Sequence, residues 1–378
     1  MLYALLDWLD KLYDIPGFGA FDFITTRTAF AASTALLISL LVGRYIIHWL
    51  QRMQLKETIR EDIGLDHHLA KASTPTMGGV IIILATVLPA LLWMSMTNIY
   101  TWMIIAVMLI LGGVGFADDY IKVVRKDKSG LHGWFKIAGQ VTVGLLVGAL
   151  LYWWPSFQEF NTLATVPFLK NVNVDYAILG ESLGWVIYIP VVIFVITAVS
   201  NAANLTDGLD GLAAGTSAIA GTILGIFAYV SGRVDFSNFL DIMYLPGSGE
   251  LTIFAASLVG ACIGFLWFNT HPASVFMGDT GSLAIGGALG ALALMIHKEL
   301  LLPIICGIFF VETLSVIIQT TWFKYTKRKY GEGRRVFLMT PIHHHFEKKG
   351  WPESKIVVRF WIIAILLGIL SLLTLKIR

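Results

Sequence analysis

The sequence predicts an all-α integral membrane protein with about ten transmembrane helices, and two observations support this fold class. Hydrophobic residues make up 56% of the 378 residues and charged residues only 14%, with a mean hydropathy of +0.74. A soluble domain has about 25% charged residues. Ten apolar runs are also long enough to cross a bilayer, which takes about 20 helical residues. Because the runs are continuous, helices are the structure that satisfies their backbone polar groups.

The ten runs are spread over the whole chain, and seven of them carry no charged side chain. The other three contain Arg44, Glu312 and Arg359. No internal repeat or soluble domain is visible, so residues 1–378 are predicted to form one integral domain. The predicted spans are Thr28–Leu50, Thr76–Met96, Thr101–Ala117, Ile137–Trp154, Gly184–Ala203, Gly211–Val230, Leu251–Thr270, Thr280–Ile296, Leu300–Phe323 and Ile356–Leu375.

Charge patterning predicts how the chain is oriented. Residues 1–27 are predicted to be an interfacial N-terminal segment. Within Met1–Asp14, leucines recur at helical spacing among aspartates, which predicts a short helix lying in the membrane interface. A frayed terminus is the alternative. Twenty of the 27 Lys and Arg residues fall in the loops after spans one, three, five, seven and nine, or flank those loops. The positive-inside rule makes these loops cytoplasmic, and ten spans then place both termini outside. A net charge of only +2 gives no reason to expect a nucleic-acid partner.

The polar motifs lie in the cytoplasmic segments, whereas the outward loops hold only scattered acids. Ionisable groups at membrane spans are costly and usually functional. We therefore expect acids, lysines and histidines to meet at one mouth of the helix bundle. The five segments are Lys71–Gly79, Asp118–Lys122, Asn201–Gly211, Asn269–Gly281 and Pro341–Phe346.

Two of these segments carry acids at the ends of spans. Asp118 and Lys122 are four residues apart and share a helix face, while Asp119 points about 100° away, so one metal ion need not contact both acids. Plain interfacial solvation is the alternative for this pair. Asn204, Asp207 and Asp210 recur every three residues and would line one face if they were helical. Helix capping is the alternative for either acid of that series.

Asp279 precedes the eighth span and is predicted to cap its helix, with Ser282 three residues later. Glycines and a helix N-terminus form an anion site there, and Mg²⁺ favours one or two carboxylates together with phosphate oxygens and water. A scattered set of acids fits this chemistry better than a closed metal cage.

The segment 324–355 is predicted to be a cytoplasmic loop that carries His343, His344 and His345. Consecutive side chains cannot all face one ion in regular backbone, so phosphate contact, sugar contact or proton handling is favoured over zinc. The alternative is that the loop only sets the orientation of the chain in the membrane through its basic residues. Glu312, in the middle of a span, is interpreted as a structural partner rather than a proton relay.

The residues together suit a substrate with an anionic head and an apolar tail. Acids could hold Mg²⁺, basic side chains could hold phosphates, and the bundle offers a hydrophobic wall. Phosphoryl transfer needs mainly positioning and charge neutralisation, which this inventory supplies.

Five motifs in chain order resemble the phospho-N-acetylmuramoyl-pentapeptide transferase (MraY) family of the polyprenyl-phosphate N-acetylhexosamine-1-phosphate transferase superfamily, glycosyltransferase family 4. The resemblance runs from about Lys71 to Glu347 without a departure at a motif position, and the ten-span layout agrees. The motifs are Thr74–Gly79, Phe116–Lys122, Asn204–Ala213, Met277–Ser282 and Pro341–Glu347.

The resemblance implies a reaction and its setting. UDP-MurNAc-pentapeptide and undecaprenyl phosphate would give lipid I and UMP, in the first membrane step of peptidoglycan synthesis. It also implies Mg²⁺ dependence, a homodimer and a multi-pass protein of the cell inner membrane, whose active site faces the cytoplasm.

The resemblance further implies roles for individual residues. Asp279 would bind Mg²⁺ beside the pyrophosphate, Asp118 and Asp119 would engage or deprotonate the lipid phosphate, and Lys122 and Lys136 would hold phosphate charge. Phe276 would stack on uracil, and Gln319 and the histidines would border the sugar and peptide. The implied substrate-binding residues are Lys71, Thr76, Asn204, Asp207, Asp210, Asn269, Phe276 and Gln319, and the histidines implied in the catalytic set are His343, His344 and His345.

Other functions and mechanisms stay open at this point. A sister enzyme would transfer N-acetylglucosamine-1-phosphate, but Thr74–Gly79 and Pro341–Glu347 favour MraY. A secondary transporter would bind near the bilayer midplane, often within inverted repeats. An intramembrane aspartyl protease would need two acids deep in neighbouring spans, whereas Asp118 and Asp207 lie at span ends. Direct attack by the lipid phosphate is favoured over a covalent aspartyl intermediate, because a phosphomonoester is largely ionised near pH 7.

Overall fold

The computed structural model describes residues 1–14, 16–52, 74–127, 129–157, 160–169, 172–180 and 182–376. Its elements follow in chain order. They are α1 (Leu2–Tyr13), α2 (Ile24–Arg52), α3 (Gly79–Trp93), α4 (Ile99–Val123), α5 (Gly133–Trp153), β1 (Leu163–Thr165), β2 (Asn173–Asp175), α6 (Trp185–Thr206), α7 (Leu212–Ser231), α8 (Val234–Leu240), α9 (Gly249–Asn269), α10 (Gly278–Met295), α11 (Leu302–Ile305), α12 (Gly307–Tyr330), α13 (Ile342–Lys348) and α14 (Glu353–Leu373).

The prediction of an all-α integral membrane protein is confirmed. Within the described ranges, eight helices are long and apolar enough to cross a membrane: α2, α4, α5, α6, α7, α9, α10 and α14. Each of the ten predicted spans overlaps a helix. The only strands in the described ranges are β1 and β2, which form an antiparallel hairpin. The number ten, the sides of the termini and the cytoplasmic loops stay predictions.

Two predicted spans differ from straight helices of full length. The second predicted span contains α3, which has only 15 residues, because the chain just before Gly79 is not helical. Met77 has a φ of +71°, and the amides of Gly78 and Gly79 pair with another segment. The ninth is broken: Glu299–Ile305 and Gly307–Tyr330 meet at 83°. The break lies at Cys306, whose ψ of 30° interrupts the helical backbone.

The N-terminal helix α1 forms as predicted and has no buried residue. The amino group of Met1 donates a hydrogen bond to the carbonyl oxygen of Leu91 at 2.6 Å, so α1 is attached to the end of α3. Its position in the membrane interface stays a prediction.

Helix α10 is the centre of the bundle. Of its 18 residues, 89% are buried, because α4 and α6 pack against the helix and α3 covers its start. Alanine and glycine dominate the helix, and such small residues allow close helix packing. The first turn of α10, which carries Asp279, is therefore fixed by its neighbours.

Candidate active site

Backbone hydrogen bonds connect the chain before α10 to the chain before α3. The amide of Phe276 donates to the carbonyl oxygen of Pro75 at 2.9 Å. The amides of Gly78 and Gly79 donate to the carbonyl oxygens of Phe276 and Met277, each at 2.8 Å. Two predicted motifs that lie about 200 residues apart in the chain thus form one structural unit.

Two glycines let the neighbouring helices reach the start of α10. A Cβ on Gly79 would overlap the backbone of Gly281, and a Cβ on Gly115 would overlap the backbone of Asp279. Only glycine permits such close approach. The Asp279 side chain consequently emerges next to the motif Asp118–Lys122 of α4.

Asp118 and Asp279 face each other through two lysine ammonium groups. Lys122 Nζ lies 2.5 Å from Asp118 Oδ2 and 3.3 Å from Asp279 Oδ2. Lys136 Nζ, from α5, lies 3.0 and 2.5 Å from the same two oxygens. The Asp118 side chain is completely buried, whereas the Lys122 and Lys136 side chains are 36% and 21% exposed. Two carboxylates and two lysines therefore form a compact, balanced cluster that an incoming phosphate can reach from the lysine side.

Asp119 has a different set of partners. Its Oδ2 accepts hydrogen bonds from the Thr280 amide at 2.9 Å and the Thr280 hydroxyl at 2.6 Å, and its Oδ1 accepts one from the Asp279 amide at 3.2 Å. Asp119 thus accepts hydrogen bonds from amides of the first turn of α10 that have no partner within the helix. The expectation that Asp279 caps this helix is wrong: Met277 occupies the N-cap position, and the hydroxyl of Ser282 donates within its own helix.

The three acids Asp118, Asp119 and Asp279 could hold a metal ion, because each offers an oxygen within 4.8 Å of the others. Asp118 Oδ2 is buried and makes no well-directed hydrogen bond despite its nearby lysines. Since the oxygens of Asp119 are engaged by helix amides, Asp118 and Asp279 are the better-placed ligands. One or two carboxylates with open positions suit Mg²⁺, which retains waters and phosphate oxygens.

A second acidic cluster surrounds Asp210. Its carboxylate Oδ2 accepts a hydrogen bond from the Ala273 amide at 3.1 Å and lies 3.1 Å from His271 Nδ1. Glu353 Oε1 accepts the Asp210 amide at 2.7 Å, and Glu353 Oε2 lies 3.3 Å from His271 Nδ1. His271 and Glu353 were not predicted from the sequence. The sequence signal that could have pointed to Glu353 is its position: an acid directly after Pro352, where a helix begins.

Asn269 links this second cluster to the chain before α10. Its Oδ1 accepts a hydrogen bond from the Gly211 amide at 3.0 Å, and its Nδ2 donates to the Val275 carbonyl oxygen at 2.9 Å. Both bonds are buried. Asn269 therefore lies beside the turn that carries Asp210, and it fixes the loop that carries Phe276. The role of these residues in substrate binding stays a prediction.

The series Asn204, Asp207 and Asp210 does not line one helix face. Helix α6 ends at Thr206, Asp207 is its C-cap residue, and Asp210 lies in the turn before α7. The backbone leaves the helical conformation at Asp207, whose ψ is 53°. Gly211 completes the turn into α7 with a φ of +81°, which is readily adopted only by glycine. Asn204 lies on the last turn of α6 and is half-buried.

His343 and Glu312 form a buried pair. His343 Nδ1 lies 3.1 Å from Glu312 Oε2, and both side chains are almost completely inaccessible. The imidazole packs against Gly208, where a Cβ would overlap the ring. This contact joins the histidine motif, the glutamate of α12 and the turn between α6 and α7, in agreement with a structural role for Glu312.

We expect Gly208→Ala to displace His343, because the new methyl group would occupy the volume of the imidazole ring. Overpacking a buried site of this kind costs about 1–3 kcal/mol. The measurement is thermal unfolding of the purified full-length protein. Gly133→Ala is the matched control, since a Cβ there meets nothing within 4 Å. Equal melting temperatures for the two variants would contradict the contact.

The other two histidines have separate partners, as expected for consecutive residues. His344 Nδ1 lies 2.5 Å from Glu347 Oε2, and His345 Nδ1 accepts a hydrogen bond from the Leu338 amide at 3.1 Å. Partial burial, with a smaller contribution from Lys349, lowers the pKa of His345, which favours the neutral imidazole that such an acceptor requires. The histidine triplet does not converge on one point.

Gln319 fixes the segment that leads to the histidines. Its Oε1 accepts hydrogen bonds from the amides of Val336 and Phe337 at 2.9 and 3.0 Å, and its Nε2 donates to the Phe337 carbonyl oxygen at 3.2 Å. All three of these hydrogen bonds are to the backbone, so the Gln319 side chain holds the segment Val336–Phe337 in place.

Three further predicted residues remain. Thr76 is buried beside Gly278, where a Cβ would lie 2.9 Å from the threonine hydroxyl. Phe276 is half-buried and is held by its backbone bonds. Lys71 lies outside the described residues.

Comparison with known proteins identifies the family to which the chain is similar. The glycosyl transferase family 4 model matches residues 101–297, and the phospho-N-acetylmuramoyl-pentapeptide-transferase signature 1 matches residues 71–83. Proteins with that transferase name from Chloroherpeton thalassium, Salinibacter ruber and Flavobacterium johnsoniae are 54%, 53% and 52% identical to the chain, and each alignment covers 100% of both sequences. The chain therefore belongs to glycosyl transferase family 4 and, within it, to the phospho-N-acetylmuramoyl-pentapeptide transferases.

Proposed function

We propose that the chain transfers phospho-MurNAc-pentapeptide from UDP-MurNAc-pentapeptide to undecaprenyl phosphate, giving lipid I and UMP. The observation that carries this proposal is the cluster in which Lys122 and Lys136 each contact both Asp118 and Asp279. It lies where apolar helices end, which suits a lipid phosphate that meets a soluble nucleotide. A cytoplasmic-facing site in the inner membrane and a homodimer are part of the same proposal.

Asp279 and Asp118 would hold Mg²⁺. The bound ion would neutralise charge on the diphosphate of the nucleotide sugar. Asp119 would act indirectly, since its carboxylate holds the start of α10 and with it Asp279. Lys122 and Lys136 would then exchange part of their contact with the acids for phosphate oxygens.

Direct attack by the lipid phosphate accounts best for the surroundings of Asp118. One of its oxygens accepts the Leu131 amide at 2.7 Å, and the other lies beside two lysines. A carboxylate with these partners is suited to orienting charge rather than to leaving its site as a nucleophile. A lipid phosphate oxygen would bond to the β-phosphorus while the diphosphate bond breaks and UMP leaves. Little base catalysis is needed, because the second pKa of a phosphomonoester is about 6.

We expect Asp118→Asn to lower the turnover rate about 10²- to 10³-fold, as loss of one preorganised charged group commonly does. Donor labelled in its phospho-sugar should leave no label on wild-type protein or on the variant after rapid denaturation. The matched control is Asp127→Asn, an exposed acid in the turn after α4. A phospho-sugar trapped covalently on the wild-type chain would contradict direct attack.

Substrate choice tests the proposed reaction against its nearest alternative. UMP release from undecaprenyl phosphate and UDP-MurNAc-pentapeptide should depend on Mg²⁺ and should greatly exceed release with UDP-N-acetylglucosamine. A preference for UDP-N-acetylglucosamine would favour the sister enzyme. Gradient-driven flux through proteoliposomes without UMP release would favour a transporter.

A further inference from the structure

One face of α2 exposes a continuous apolar stripe. Leu37, Leu41, Tyr45 and Trp49 follow one another at intervals of four residues, and their exposed fractions are 55%, 61%, 64% and 48%. Residues four apart lie on the same side of a helix. Because α2 is long and apolar enough to span the membrane, this stripe is suited to contact with lipid acyl chains.

A basic ridge runs beside the last two turns of that stripe. Arg44, His48 and Arg52 are also spaced by four, and all three are exposed. With Tyr45 and Trp49 they line an open cleft of about 440 Å³. The Arg44 guanidinium donates to the Tyr45 hydroxyl at 3.0 Å, so the cation is held over the aromatic stripe. No carboxylate is among the described residues that line the cleft.

The cleft lies at the end of the bundle that carries the candidate active site. Helices α2 and α9 are parallel: Gly260 packs against Ala32, Gly264 against Ser39, and Gly43 against the ring of Phe268. Phe268 immediately precedes Asn269, which links the second acidic cluster to the chain before α10. Arg44 follows Gly43, so the ridge begins at the depth of that cluster.

We propose that this cleft binds the phosphodiester of an anionic glycerophospholipid, with an acyl chain along the apolar stripe. Arginine offers a planar fork that matches phosphate oxygens. Tyrosine and tryptophan favour the level of the lipid headgroups. Anionic lipid surfaces attract basic side chains next to a membrane span. The site is separate from the transfer reaction proposed above and does not depend on it.

The test is peptide-resolved photolabelling of the purified full-length protein in phosphatidylcholine nanodiscs. A photoactivatable phosphatidylglycerol is the probe, and unlabelled phosphatidylglycerol is the competitor. The variant is the double substitution Arg44→Gln with Arg52→Gln. The matched control is Lys327→Gln with Arg328→Gln, which removes two charges from adjacent positions of α12 that point about 100° apart. Thermal unfolding without the probe checks that each variant remains folded.

We expect the probe to label residues 44–52 in the wild type. In the Arg44→Gln with Arg52→Gln variant, the concentration of unlabelled phosphatidylglycerol that halves this labelling should rise about tenfold. The control Lys327→Gln with Arg328→Gln should behave like the wild type. For Arg44→Lys with Arg52→Lys, the competitor concentration that halves labelling should lie between those of the wild type and the Arg→Gln variant. Equal labelling by a phosphatidylcholine probe would overturn the proposal, as would unchanged competition in the arginine variant. Crosslinks between two copies of α2 would overturn it in favour of a contact between copies of the chain.

Discussion

Replacing Asp279 with asparagine should lower the turnover rate about 10³-fold. Its carboxylate is within 3.3 Å of both Lys122 and Lys136, and with Asp118 it offers the best-placed oxygens for a divalent ion. Removing one preorganised charge from a site of this kind typically costs 10²- to 10³-fold, and a lost metal ligand adds to that cost. The measurement is UMP release over a range of Mg²⁺ concentrations. The loss should appear in the turnover rate and in the Mg²⁺ concentration for half-maximal activity.

The matched control for Asp279→Asn is Asp235→Asn. Asp235 is an exposed acid that pairs with Arg233 at 2.8 Å in another part of the molecule. This control should retain the wild-type rate, since it removes the same charge without touching the cluster. Asp279→Asn with a rate within threefold of the wild type would refute the assignment of Asp279 to the site.

Replacing Asp119 with asparagine should reduce both stability and activity. Both oxygens of the Asp119 carboxylate accept hydrogen bonds, three in all, from Asp279 and Thr280. In asparagine one of these oxygens is replaced by an NH₂ group, which would face a donor and could not accept its hydrogen bond. Hydrogen bonds to charged groups contribute about 1.5–3 kcal/mol each. We expect a loss of about 2–4 kcal/mol in the free energy of unfolding. Activity should fall about 10²-fold, because the start of α10 would move and displace the Asp279 carboxylate, and a displacement of about 1 Å in a reacting site can have a cost of this size.

The comparison that distinguishes positioning from chemistry is Asp118→Asn. That variant should lose activity with a smaller change in melting temperature, since Asp118 accepts only one backbone amide and does not hold the start of α10. An Asp119→Asn protein that is inactive but melts like the wild type would assign Asp119 a direct chemical role instead.

The sequence was sufficient to predict the helices because each apolar run must satisfy its own backbone hydrogen bonds in lipid. It could not predict the bend at Cys306, since hydropathy averages side chains and does not register one residue of altered ψ. The short length of α3 was missed for a related reason. Its first predicted residues are apolar enough for a helix, yet their amides pair with the chain before α10.

The candidate site was predictable in part. The shared face of Asp118 and Lys122 follows from their spacing. The proximity of Lys136 and Asp279 requires the packing of α5 and α10 against α4, which spacing within the chain does not encode; the family resemblance brought these residues to attention. Glu353 was missed because it falls within the predicted basic loop 324–355, whereas in the structure it is the first residue of α14.

The central claim is that Asp118 and Asp279 hold a divalent ion against the diphosphate of the nucleotide sugar. The most direct measurement is electron–nuclear double resonance of Mn²⁺, used in place of Mg²⁺, on the purified protein with UDP-MurNAc-pentapeptide. The expected result is strong ³¹P coupling in the wild type that disappears in Asp279→Asn. Tightly bound Mn²⁺ without ³¹P coupling, or the same coupling in Asp279→Asn, would contradict the claim.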